Sequence, residues 1–405
     1  MIQDRTTLAA SQPASAGDSP IPSPAAASAP GRNVALDGWR CFACLLVYCF
    51  HKNINVNYGF VVVRGFTGVH MFFVLSGYLL STPYLAAILA GRKLPSWRGY
   101  FQRRFLRIYP PYVVSLALFL AARALAHDKL PSFANLVGHL TLTFNYFDKS
   151  LFYSINAVYW SLAIEAQFYA LLPVVCWVTA RASARRPDAA VWGLLGLMLG
   201  VGVASRAAEC LGASPRVDGV QYTAITSYLD WFAAGMAVAY LEQRASGWFR
   251  AVRWRGLAAL AAGLALFLTA NSWFGAVAAR TGETEDVLLS VGFPTVVCVG
   301  LGLILLSVCC APASRWSLLR LAPVVWIGNI SYSFFLYHIG VQVAVQRAFP
   351  MRSIPLGFQN DLAQALASLP PALVVSAAMF YLVERPCLRA MVRLKARPKV
   401  DSRTP

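Results

Sequence analysis

Arg40 and His51 stand eleven positions apart in the stretch Leu36–His51, and the ten residues between them are apolar. At about 100° and about 1.5 Å per residue, eleven steps make about three turns plus 20° and a rise of about 16.5 Å. A helix over this stretch puts both side chains on one face, about half the hydrocarbon thickness of a bilayer apart. Ionisable groups in or beside a membrane span are expensive to hold there and mark function by default. An elongated ligand held at one end by the guanidinium would meet an imidazole at the other. A positive foot among headgroups and a polar outer lip would give the same spacing, so spacing alone leaves both readings open.

Further groups with chemical potential lie outside this stretch. Arg103-Arg104-Phe105-Leu106-Arg107 places Arg104 and Arg107 three apart, on one side of a helix. Guanidinium forks take phosphate oxygens two at a time, although anchoring to anionic lipid produces similar clusters. Glu165, within Trp160-Ser161-Leu162-Ala163-Ile164-Glu165-Ala166-Gln167-Phe168-Tyr169, is an acid in mid-span. A carboxylate there must be paired, protonated or turned to a watered cavity. Asp230 and Glu384 lie nearer span ends, where an interfacial position explains them. His338 reads as a hydrogen-bonded packing histidine in mid-span. His70, six residues before Ser76, could be brought near His51 by the short connection 52–65. Asp37, His70, Ser76 and His338 are therefore candidates for the shell around the chemistry.

The elements that position these groups follow from composition. Hydrophobic residues make up 58% of the 405 and charged residues only 13%, about half the charged fraction of a soluble chain. Mean hydropathy is +0.55. The apolar material falls in runs of about 20, the length that crosses a bilayer as a helix. The expected fold is an all-α integral membrane protein, one bundle of ten transmembrane helices: 36–51, 66–90, 109–126, 156–180, 190–205, 219–242, 256–278, 288–311, 323–349 and 362–384. The second is expected to break near Pro83. The segment 131–148, with His139, is too polar to span and is expected at the surface. Gly193, Gly196 and Gly200 suit close helix packing.

Residues 1–34 are rich in Ala, Ser and Pro, without a signal-peptide core, and read as a disordered tail. Residues 35–386 form the membrane domain and 387–405 a basic tail. A net charge of +18 would suggest nucleic acid in a soluble domain; in a membrane protein it follows from the excess of Lys and Arg in cytoplasmic loops. With both termini inside, 25 of the 35 Lys and Arg residues fall on that side, and Glu283, Glu285 and Asp286 fall in the outer loop 279–287. Both termini are therefore expected in the cytoplasm. Most of the nine cysteines lie in apolar runs, and Cys41 and Cys44 read as packing residues one turn apart; no disulfide framework and no metal site is expected.

In order along the chain, these blocks resemble the membrane acyltransferase-3 family, which O-acylates sugars of surface polysaccharides, lipopolysaccharides and some secondary metabolites. The correspondence runs through Leu36-Asp37-Gly38 to His51, Gly68 to Tyr78, Arg104-x-x-Arg107, Trp160 to Tyr169, Ser331-Tyr332 to His338 and Glu384-Arg385-Pro386. His70 departs from the pattern, standing where the family often has Asp; Trp39 and Cys41 replace smaller or aliphatic residues. No fused extracellular hydrolase-like domain is expected. The resemblance implies an acyl-CoA donor, acetyl-CoA first, a hydroxyl acceptor on a carbohydrate or lipid-linked sugar, and His51 as catalytic residue. No permanently bound cofactor and no nucleic-acid partner is expected.

The two lines of reasoning join in one mechanism. Arg104 and Arg107, with Arg40, would bind the donor's phosphates at the cytoplasmic face of a bacterial inner membrane. The thioester would reach His51 near the outer face, where imidazole acts as base or nucleophile. Glu165 and Glu384 would orient a histidine or fix an arginine. The competing class is a transporter or glycan exporter whose path these charges line; it does not account for the ordered motif series.

Overall fold

The computed structural model describes residues 33–52, 65–146, 154–183, 185–211, 224–281, 287–310, 316–349 and 358–396. The N-terminal tail before 33, most of the 52–65 connection, Glu283, Glu285, Asp286 and the last residues of the basic tail lie outside these. Within them the fold is helical throughout, without strands: α1 (Ala35–Phe50), α2 (Thr67–Leu89), α3 (Trp97–Leu125), α4 (Phe133–Thr141), α5 (Tyr159–Ala182), α6 (Pro187–Leu211), α7 (Leu229–Ala251), α8 (Arg253–Thr281), α9 (Val287–Cys310), α10 (Ala322–Asn329), α11 (Ser331–Ala348), α12 (Phe358–Met379) and α13 (Arg385–Ala396). Where they are described, the ten stretches expected to span fall mainly on helices, 323–349 on two of them, α10 and α11. Seven helices among the described residues are long and apolar enough to cross a membrane, or eight if α10 and α11 count as one broken span. The chain is an integral membrane protein.

Helix breaks differ from the expected ones. α2 runs unbroken through Pro83. Proline costs the Leu79 carbonyl its partner, and helices in bilayers tolerate this where neighbours compensate; the Thr82 hydroxyl donates to Tyr78 O next door at 2.6 Å. The sharp break is instead at Ile330, where α10 and α11 meet at 77°. α3 begins at Trp97, twelve residues earlier than expected, and passes through Pro110 and Pro111. Arg104 and Arg107 are thus on the same continuous helix as the span. A π-helical turn at Phe380–Glu384 joins α12 to α13.

The segment around α4 is not loosely on the surface. Tyr109 and Tyr112 donate their hydroxyls to Leu140 O (3.0 Å) and His139 O (2.9 Å). His139 is buried and stacks on Phe144 with centroids 4.1 Å apart. Those bonds satisfy carbonyls at the end of a nine-residue helix that cannot span.

The core is built around α2, which packs on α1, α5, α7 and α9. Phe73 lies 4.9 Å from Phe232, which stacks on Phe168 at 3.8 Å. Beneath this aromatic cluster α2 and α7 cross on glycines. A Cβ on Gly235 would lie 1.9 Å from Val74 O, and one on Gly77 would lie 2.2 Å from Phe232 O. The same device seats α1 on α10, with Gly328 against Asp37 O. By contrast, Gly193, Gly196 and Gly200 have nothing within 4 Å of their Cβ positions. The close contact expected of them is not made among the described residues; α6 packs instead through Val191, Leu194, Leu195, Met198, Gly202 and Arg206. Gly235→Ala is therefore expected to lower stability by about 1–3 kcal/mol through overpacking. Gly196→Ala should leave it unchanged or raise it by up to about 1 kcal/mol, since alanine favours helix. Thermal unfolding of the two variants in one detergent checks the contrast.

Candidate active site

α1 carries Arg40 and His51 into two different polar clusters. The His51 end is pinned from α11 and α12. The Tyr48 hydroxyl donates to Ala365 O at 2.6 Å and lies 2.7 Å from Ser368 Oγ, while Gln342 Nε2 donates to Tyr48 O at 3.2 Å. The Arg40 end is fixed by Trp39 Nε1, which donates to Met71 O of α2 at 3.1 Å. Both ends of the helix are thus held in rotation as well as position.

At the upper end His51 is the residue that closes α1. Its Nδ1 lies 2.8 Å from Val47 O and 3.2 Å from Nε2 of His338. The two imidazoles meet edge to face with centroids 5.1 Å apart. His338 is fully buried, and its Nδ1 lies 3.0 Å from both Phe334 O and Phe335 O. The packing histidine of the sequence reading is therefore the direct neighbour of His51. His70 is placed elsewhere: its ring stacks on Trp231 at 3.7 Å and abuts Phe66 and Phe293. It belongs to the α2–α7–α9 core, and its two ring nitrogens make no hydrogen bond that meets ordinary geometry among the described residues.

The lower cluster gathers residues from five helices. Arg40 Nη1 donates to Asp37 Oδ1 at 2.8 Å, with Asp37 almost fully buried. On α5, Glu165 accepts from Ser76 of α2 and from the Tyr169 hydroxyl (2.6 Å) through the same oxygen, Oε1. Tyr169 also lies under Arg104, whose guanidinium carbon is 5.9 Å from that ring and 5.9 Å from the Tyr100 ring. Such stacking holds a guanidinium without consuming its N–H donors. Tyr332 donates to Ile108 O at 2.8 Å, tying the start of α11 to the Arg107 turn of α3. Glu384 accepts from Ser333 at 2.7 Å and sits in the field of Arg107 and Arg40.

Glu384 therefore stands at the N-terminus of α11, where free backbone N–H groups and the helix dipole favour an anion. The π turn explains how it arrives there. One extra residue in the turn rotates the chain by about 100° relative to α-helical register. The break at Ile330 and the π turn at 380–384 are complementary: one exposes a helix N-terminus and the other aims a carboxylate at it.

Arg104 and Arg107 have no carboxylate oxygen within 4 Å among the described residues, and Arg104 Nε is buried without a partner. Asp37, Arg40, Glu165 and Glu384 each have at least one hydrogen bond from within the protein. The arrangement has guanidinium donors to spare at one end of α1 and an imidazole pair at the other. Neither Glu165 nor Glu384 is among the partners of His51; both carboxylates accompany the arginines. Sequence reasoning missed Tyr169, Tyr332 and Ser333. Tyr169 was within reach of it, being four residues after Glu165 and hence on the same helical face.

Comparison with known proteins bears on this arrangement directly. The family profile described as an acyltransferase domain matches residues 33–381, from the start of α1 into the π turn. The peptidoglycan O-acetyltransferase OatA of Listeria monocytogenes serovar 1/2a is 27% identical over 371 residues, covering 87% of this chain and 55% of its own. YrhL of Bacillus subtilis (strain 168), provisionally named a peptidoglycan O-acetyltransferase, is 36% identical over 152 residues, 34% of this chain and 23% of its own. A Staphylococcus aureus (strain COL) protein provisionally named an O-acetyltransferase is 31% identical over 151 residues, 35% of this chain and 24% of its own. The chain thus spans about half the length, or less, of these relatives. No solved structure matches it. The matched region takes in the imidazole pair and the arginine cluster except Glu384, and the chain belongs to the acyltransferase-3 family.

Proposed function

We propose that the chain is a membrane O-acyltransferase that moves an acyl group, acetyl first, from cytoplasmic acyl-CoA to a hydroxyl of a carbohydrate or glycoconjugate. One observation carries this reading: Arg40 and His51 lie on one face of α1, and neighbouring helices complete a cationic cluster around the first and an imidazole pair around the second. The excess of Lys and Arg at the Arg40 end supports N-in, C-in orientation across ten spans of a bacterial inner membrane. The donor's phosphates would then lie at the cytoplasmic face on Arg104, Arg107 and Arg40, and its long arm would run beside α1. The relatives named for peptidoglycan favour a surface polysaccharide acceptor.

Chemistry at the far end needs a base on the acceptor. His51 takes the hydroxyl proton as oxygen attacks the thioester carbon; the C–O bond forms, the C–S bond breaks, and the proton passes to the departing thiolate. An imidazole can both accept and return a proton, which suits it to both transfers. Serving as nucleophile, His51 would instead carry the acyl group in transit. Glu165 and Glu384 enter through neighbours: Glu165 holds Tyr169, whose ring lies against Arg104, and Glu384 holds Ser333 in the field of Arg107 and Arg40.

The test is CoA release by the purified protein in nanodiscs, given acetyl-CoA with and without glycan acceptors. Acceptor-dependent thiol release supports the reading; an exporter would bind glycan without releasing thiol. Loss of either guanidinium in Arg104→Leu or Arg107→Leu should raise KM for acetyl-CoA by about 10- to 100-fold, since a hydrogen bond to a charged group contributes about 1.5–3 kcal/mol. With acetyl-pantetheine, which has no phosphates, the same variants should match the parent protein.

A further inference from the structure

We infer that His338 is the positioning residue for His51, holding its imidazole in the Nδ1–H tautomer so that Nε2 carries the open lone pair. This rests on the reading of His51 as the group that takes the acceptor's proton.

Hydrogen-bond valence leads to the tautomers. Carbonyl oxygens only accept, and in a neutral imidazole one nitrogen donates while the other accepts. His338 Nδ1 faces two carbonyls, Phe334 O and Phe335 O, each at 3.0 Å. It therefore carries the hydrogen, and His338 Nε2 is bare. That bare nitrogen lies 3.2 Å from His51 Nδ1, which also lies 2.8 Å from Val47 O. Both neighbours of His51 Nδ1 are acceptors, so His51 Nδ1 carries a hydrogen shared between them. Only this tautomer satisfies all four contacts, and it leaves His51 Nε2 unprotonated.

The arrangement performs the office of the carboxylate in a hydrolase triad, where a buried acid fixes the tautomer of the base. A neutral acceptor does this without placing an anion deep in a membrane protein, where charge is costly. The ring of His338 is itself fixed, lying nearly parallel to Phe334 at 5.7 Å and tilted against Tyr48 at 6.1 Å. During turnover the acceptor's proton goes to His51 Nε2, and the imidazolium keeps its Nδ1–H on Val47 O and His338 Nε2. His338 does not take the proton onward. Doing so would move the positive charge from His51 to a ring without solvent exposure, its Nδ1–H already spent on carbonyls. The proton therefore returns from His51 Nε2 to the thiolate, and His338 ends the cycle as it began.

His338→Leu and His338→Gln separate this from a packing role. Glutamine can place its Oε1 where Nε2 stands and accept from His51 Nδ1–H; leucine offers no acceptor. Acetyl transfer in nanodiscs should show kcat about 100-fold lower in His338→Leu with KM for acetyl-CoA within about threefold, and recovery to within about tenfold in His338→Gln. In the unaltered protein, 15N NMR of its five histidines should show the His51 signal, identified by its loss in His51→Ala, with a protonated Nδ1 and a bare Nε2. Parental kcat in His338→Leu, a His338→Gln protein no better than His338→Leu, or a protonated His51 Nε2 would each overturn the inference. Acetyl transfer persisting in His51→Ala would instead remove the reading beneath it, and is distinguished because that variant leaves His338 intact.

Discussion

His51→Ala is expected to abolish measurable acetyl transfer while leaving the protein folded and able to bind acetyl-CoA. The residue ends α1 and is only half-buried, and its side chain supplies no helix cap beyond its bond to Val47 O, one turn below in its own helix. Truncation therefore removes little packing. Catalytically, a positioned acid–base group contributes about 10²–10⁴-fold, and His51 would serve twice in each cycle, on the attacking hydroxyl and on the leaving thiolate. A loss of at least about 10³-fold in kcat follows, with thermal stability and acetyl-CoA affinity near the parent's. Added imidazole entering the vacated space should restore part of the rate. Radiolabelled acetyl-CoA supplied without acceptor and quenched in acid then separates the two chemistries. Label retained on the protein identifies an acyl-histidine intermediate, and its absence identifies direct transfer. Acetylation at the parental rate in His51→Ala would exclude His51 as essential base or nucleophile.

The pairing of His51 with Arg40 was legible in the sequence because it depends on arithmetic within one helix. Eleven residues return nearly to the starting azimuth whatever the rest of the chain does. The same holds for Arg104 and Arg107. Contacts between distant helices do not have this property. His338 lies 287 residues after His51, and nothing in its own surroundings distinguishes a partner of His51 from a packing histidine. His70 illustrates the converse. It is nearer in sequence, yet its ring stacks on Trp231 of α7. A break in a helix was expected only where proline marks one, and there it misled: Pro83 lies in a continuous helix, as do Pro110 and Pro111. The break at Ile330 and the π turn at Glu384 carry no proline at the site. They are consequences of packing, the first allowed by Gly328 closing against Asp37 O.

These two irregular points give the membrane part its division of labour. α11 starts at the arginine cluster, where Ser333 meets Glu384, and reaches the imidazole cluster five residues later at His338. Tyr332 fastens the base of this helix to Ile108, beside Arg107. Displacing α11 would disturb the phosphate end and the base together, so the two ends are mechanically one unit although no single residue belongs to both.

Asp230→Ala is expected to cost about 3–5 kcal/mol of stability, the largest structural effect of any single truncation proposed for this chain. Asp230 reads from sequence as an interfacial acid, but it is buried against Arg206, which has no exposed surface. The guanidinium donates from Nη1 to Asp230 Oδ1 (2.7 Å) and Ser227 O (2.6 Å), and from Nη2 to Asp230 Oδ2 (2.8 Å) and Thr295 Oγ1 (2.7 Å); Nε reaches Val291 O at 3.3 Å. All five N–H groups are used, and the bonds join α6, α7 and α9. Removing the acid leaves an unpaired buried cation, whereas removing both charges does not. Arg206→Met with Asp230→Val should therefore be more stable than Asp230→Ala, with recovery limited by the Ser227 and Val291 carbonyls that lose their donor. Fluorescence-detected size-exclusion after heating measures the order, and a cost below about 1 kcal/mol for Asp230→Ala would mean that water reaches the pair. Protein that remains folded should transfer acetyl at the parental rate per molecule, because this clamp shares no hydrogen bond with His51 or the arginine cluster among the described residues. Asp230→Ala would thus lose stability and keep chemistry, the inverse of His51→Ala, so the pair of variants separates the frame of the bundle from the site it holds.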